Sequence, residues 1–95
     1  MLSKIPLNLE KIAKEDIDKK ILRVAIIAEL DATNLNEQMA ALTENENIRK
    51  ILLDITKEEK THAGEFQTLL LMEDKEQEKE LEEGKKEVRE FLKSI

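Results

Sequence analysis

One stretch contains residue types able to do chemistry at a useful spacing: Glu58-Glu59-Lys60-Thr61-His62-Ala63-Gly64-Glu65-Phe66. His62 is the only histidine in the chain. Glu59 precedes it by three residues, so on a helix the carboxylate and the imidazole project side by side. The face they share reads Ile48, Ile51, Leu52 and Ile55 before them and Phe66, Leu69 and Leu70 after them. Two polar ligand-type groups thus interrupt an apolar stripe. A charged group in such a stripe is costly unless something compensates it, and a bound cation is one compensation. With seventeen glutamates among 95 residues, a glutamate three before the one histidine arises by chance about 18% of the time. The spacing therefore gains weight only from its place on the stripe and from a partner elsewhere in the chain.

That partner is sought in the elements that must position the pair. A helix is predicted from Asp16, read as the N-cap, to about Leu42, with no Gly or Pro inside it. Its Glu29 shares a face with Leu22, Ala25, Ile26, Ala32, Thr33 and Asn36. A second stripe of Val24, Ile27, Leu35 and Leu42 makes the helix apolar on more than one side, which requires cover from other copies of so short a chain. Thr43 and Glu46 fit a capping box between this helix and a second one, from about Glu44 to Glu73. The connection is short, so the two helices should form an antiparallel hairpin. Gly64, beside Ala63, marks either a tolerated glycine or a flat place for another helix to approach.

Residues equidistant from a hairpin turn lie opposite each other. Glu29 and Glu59 are each about 15 residues from residue 44, roughly 22 Å at the helical rise, so both are expected at one height with His62 a turn away. Three ligands are too few for a closed site, and a single histidine excludes the common zinc sets. A dinuclear bundle centre needs one Glu from each of two helices and a Glu-x-x-His from each of two others. One chain supplies half of that, and two copies about a two-fold axis would supply the whole. Carboxylates with one imidazole per metal suit iron or manganese more than copper. The competing reading pairs Glu29 and Glu59 with Arg23, Lys57 or Lys60 and packs His62 in the core.

Composition bounds the remaining possibilities. Forty per cent charged residues, two Gly, one Pro and two aromatics indicate an all-α chain. Ninety-five residues form one small domain whose core alone is marginal. The absence of cysteine removes disulfides, thiolate metal sites and thiol catalysis. A net charge of −6 argues against nucleic acid and suits cations. The most apolar window, Ile21 to Leu30, is interrupted by Arg23 and Glu29 and is too short to span a bilayer. With no signal-peptide pattern, a cytoplasmic location and no membrane partner are expected. The domain is read as residues 1–95: an N-terminal arm over 1–14 around Pro6, the helical hairpin over 16–73, and an acidic segment with a short tail helix over 74–95. Gly84 is expected to break the charge run of Glu73 to Lys86 before a tail helix carrying Val88, Phe91, Leu92 and Ile95.

Ala28-Glu29-Leu30-Asp31-Ala32, followed thirty residues later by Glu58-Glu59-Lys60-Thr61-His62, resembles the encapsulated ferritins. Ile21 to Leu71 is similar to the ferritin-like domain fused to some archaeal encapsulin shell proteins. The resemblance implies a two-helix hairpin with a short third helix, completing a ferritin-like four-helix bundle by dimerisation. It implies a di-iron ferroxidase centre at the dimer interface, dimers in an annular decamer, and a ring held inside an encapsulin nanocompartment for iron storage. The metal ligands and catalytic residues would be Glu29, Glu59 and His62; manganese, calcium or zinc could take the iron positions in a crystal. Asp31 matches one acid of a secondary entry site whose other acid falls at Ala28. Asn36 stands where the family commonly carries a tyrosine beside the centre, and Asn36 and Glu58 join Asp31 as outer or entry candidates. In the expected reaction Fe(II) is oxidised to Fe(III) by dioxygen, with Glu29 bridging or chelating and Glu59 and His62 anchoring each iron. The rivals are a non-catalytic helical oligomerisation module and a rubrerythrin-type diiron or manganese protein.

Overall fold

A computed structural model describes residues 16–95. The arm expected over 1–14 lies outside the described residues. Three helices follow one another: α1 (Ile17–Leu42), α2 (Glu46–Glu73) and α3 (Lys75–Lys93). No strand occurs among the described residues, as composition predicts.

α1 and α2 form the expected antiparallel hairpin, but its ends are capped differently from expectation. Asp16 precedes α1 without a side-chain capping bond. Its backbone is already near-helical, at φ −100° and ψ −3°, whereas a capping side chain normally works from an extended residue. At the turn the Thr43–Glu46 capping box is not the device used. Thr43 ends α1, its N–H donating to the Met39 carbonyl at 3.1 Å, and its hydroxyl accepts from the Asn45 N–H at 3.1 Å. Asn45 is the N-cap: its Oδ1 accepts from the N–H groups of Asn47 (2.9 Å) and Ile48 (3.1 Å). Arg49 reaches back across the turn, Nε donating to the Ala40 carbonyl at 2.9 Å and the guanidinium also meeting Glu46 and the Thr43 carbonyl. One side chain thereby satisfies carbonyls that the end of α1 would otherwise leave unpaired.

The seam between α1 and α2 is made of small residues. Ala40, Thr33 and Thr56 are buried in it, and both threonine hydroxyls donate to the carbonyl four residues back, Glu29 and Leu52, at 2.9 Å. Among the described residues only Ala40 and Leu70 are buried apolar residues. By contrast Ile21, Ile27, Leu30, Ile48, Ile51, Ile55 and Leu69 are all exposed. A two-helix layer has nowhere else to put them, as the sequence-based need for further copies anticipates.

Asp74 joins α2 to α3. Its N–H closes α2 on the Leu70 carbonyl at 2.8 Å, and its Oδ1 caps α3 by accepting from the Gln77 N–H at 3.0 Å. Its Oδ2 accepts from Arg23 Nη2 of α1 at 2.6 Å. The Gln77 N–H and the positive charges of Lys19 and Arg23 hold its carboxyl below the ordinary aspartate range, against the opposing effect of burial. α3 then runs unbroken through Gly84, so the expected break there does not occur. One interior glycine costs about 1 kcal/mol, and the surrounding Glu, Lys and Leu residues are strong helix formers. Gly84 has a non-positive φ and open space around it. Gly64 in α2 is likewise open, with nothing beyond its own stretch of helix within 4 Å of where its Cβ would be, so no other described helix approaches there. No described helix is long and apolar enough to cross a membrane.

Candidate metal centre

The expected ligand residues converge on one edge of the hairpin. His62 Nδ1 of α2 lies 3.5 Å from Glu29 Oε1 of α1. Nearer the hairpin turn, Asn36 Nδ2 of α1, two turns on from Glu29, donates to Glu59 Oε1 of α2, one turn before His62, at 2.8 Å. Mirror pairing about the turn sets Glu29 against Glu59; the side-chain contacts are offset from it. The tilt of helical side chains explains the offset. Each Cα–Cβ bond leans toward the N-terminus of its own helix, so α1 side chains lean away from the turn and α2 side chains lean toward it. Glu29 therefore reaches out to His62, and Glu59 reaches in to Asn36.

Helical spacing shows what surrounds these four groups. Along α1 they are flanked by Ala25, Ala32, Ile21 and Met39, and along α2 by Ile48, Ile51, Ile55 and Leu69. Both flanks lie on the same side of the hairpin, because the two inter-helix contacts tie those edges together. Glu29 is largely covered, with 21% of its side chain exposed, whereas His62 retains 48%. A histidine packed in the core, as the competing reading requires, is not what the structure has.

The same reading requires basic partners for the two glutamates. Arg23 instead binds Asp74, and Lys60 lies 3.5 Å from Glu37. Among the described residues no Lys or Arg forms an ion pair with Glu29 or Glu59. Asp31, two residues from Glu29, points round the helix from it and is half-buried with an interaction of its own. Glu58 is exposed, one turn before His62. The structure thus makes two contacts across the hairpin, Glu29 with His62 and Asn36 with Glu59, and leaves Asp31 on another side of α1.

The donor set fits iron in kind but is not gathered at one point within a single chain. Two carboxylates and one imidazole are hard and borderline ligands appropriate to iron or manganese. Among the described residues, however, no group of three or more His, Cys, Asp or Glu side chains is arranged to hold a metal ion. The two contacts lie beside exposed apolar residues, among them Ile48, Ile51, Ile55 and Leu69. Sequence reasoning missed Asp74, although an aspartate three residues before Gln77 carries the capping pattern.

The family model for Rubrerythrin matches residues 20–95. A curated protein of Pyrococcus furiosus, described as a ferritin-like-encapsulin shell fusion protein, is 60% identical over 78 residues, covering 82% of this chain and 22% of that protein. The chain thus spans about a fifth of that relative's length. The crystal structure of an encapsulated ferritin domain from Pyrococcus furiosus is similar with a TM-score of 0.80 and 52% identity, over 95% of this chain and 92% of that one.

Proposed function

The chain belongs to the rubrerythrin family and is similar in sequence and structure to an encapsulated ferritin domain, and on that premise we propose that two copies unite their half-sets to bind ferrous iron and oxidise it. Each copy contributes Glu29, Glu59 and His62, and ferrous iron is the substrate. Two Fe(II) each lose one electron to dioxygen and leave as Fe(III), while the dioxygen takes up two protons from water and leaves as hydrogen peroxide. Four carboxylates gathered from two chains favour the higher charge, because hard oxygen anions stabilise Fe(III) more than Fe(II). The negative charge of the chain as a whole, −6, concentrates cations near it. The small and apolar residues along the edge supply the surface on which the second copy docks, and a two-fold contact makes one patch serve both sides.

The observation that carries this reading is the cluster itself: Glu29 against His62, and Glu59 against Asn36, without a Lys or Arg to neutralise either carboxylate among the described residues. A purely structural assembly module would have no use for such a pair beside an apolar contact surface. The iron oxidised here is proposed to be stored within an encapsulin shell, with the dimers gathered into an annular decamer. The shell domain in the name of the 60% identical relative supports that setting. The test is to add Fe(II) in air and follow ferric absorbance, with Glu59→Ala and His62→Ala beside the parent chain. Parent activity that drops at least tenfold in both variants supports the reading. A parent chain that oxidises iron no faster than buffer, or variants as active as the parent, would overturn it.

A further inference from the structure

We propose that Asn36 is the positioning residue for Glu59, fixing which carboxylate oxygen is offered to the metal; the proposal rests on the site assignment just made. A carboxylate at neutral pH can only accept hydrogen bonds, so the amide at 2.8 Å from Oε1 must present its Nδ2–H. This contact crosses from α1 to α2, and the residues are 23 apart in sequence, so it holds Glu59 from outside its own helix. A glutamate has three side-chain torsions and swings freely when nothing holds it. Tethering Oε1 removes most of that freedom and leaves Oε2 as the unencumbered donor. Both partners are half-buried, which strengthens the bond relative to one in open water.

The choice of an amide has a specific consequence. An ammonium or guanidinium at the same place would orient Glu59 equally well but would cancel its charge and compete with a cation. A neutral donor orients the carboxylate while leaving its full charge for the metal. Outer partners of this kind typically alter metal affinity 10- to 100-fold when removed.

The test uses Co(II), which gives a visible spectrum and is not turned over, titrated into the metal-free oligomer. Asn36→Leu removes the donor at similar volume, and Asn36→Gln keeps an amide on a longer arm. The expected result is a 10- to 100-fold loss of Co(II) affinity with an altered visible band in Asn36→Leu. Asn36→Gln should recover most of both, with helicity and oligomer mass unchanged throughout. Equal binding by the parent and Asn36→Leu would overturn the positioning role while leaving the metal site intact. Equal losses in the Leu and Gln variants would also overturn it, because a packing defect and not a lost donor would then be responsible. A parent chain that binds no Co(II) would instead overturn the site assignment, and this inference with it.

Discussion

If the exposed edge beside Glu59 and His62 is where a second copy docks, Ile51→Ser should weaken that docking by an amount the structure sets. Ile51 is 61% exposed in the single chain. Fully burying an isoleucine is worth about 1.5–3 kcal/mol. The uncovered three-fifths is therefore worth about 0.9–1.8 kcal/mol per copy on association. A two-fold interface counts each substitution twice, giving about 2–4 kcal/mol per dimer. At 1.4 kcal/mol per factor of ten, the dimer dissociation constant should rise roughly 30- to 700-fold. Serine lowers helix propensity by well under 1 kcal/mol, so folding should not mask the effect. Sedimentation across a dilution series, with helicity followed in parallel, measures it. A parent chain that stays monomeric with full helicity at high concentration would refute the docking edge. So would a variant whose dissociation constant matches the parent's.

Asp74 offers a pH test. Its carboxyl is held below the ordinary aspartate range by the Gln77 N–H and by Lys19 and Arg23. A depressed folded pKa means that the stabilisation is present above the unfolded pKa and is lost as pH falls through the folded one. Asp74→Asn keeps a competent N-cap for α3 but removes the charge. The variant should be less stable than the parent at neutral pH, and the gap in urea unfolding should close as pH drops below the ordinary aspartate range; a pH-independent gap would assign the loss to something other than the charge. At Gly84, a Cβ would meet nothing within 4 Å and the backbone is helical. Gly84→Ala should therefore raise stability by about 1 kcal/mol, visible as a higher melting temperature, and a lower one would show that the surface there is used by a neighbour.

The sequence alone determined the helices, their antiparallel order and the residue types at the candidate site, because those follow from signals spread over one or two turns. Glu29, Glu59 and His62 could be picked out as candidates for that reason, and the shortage of core was legible too. Which side chains meet was settled only by tertiary structure. Glu29 meets His62 and Glu59 meets Asn36 because antiparallel helices lean their side chains in opposite directions along the pair. Arg23 goes to Asp74 because the end of α2 folds back to the start of α1, bringing together residues 51 apart. The cap at Asn45 and the continuity of α3 through Gly84 also escaped the sequence reading. Several local options there differ by about 1 kcal/mol, and the backbone path of the whole chain selects among them.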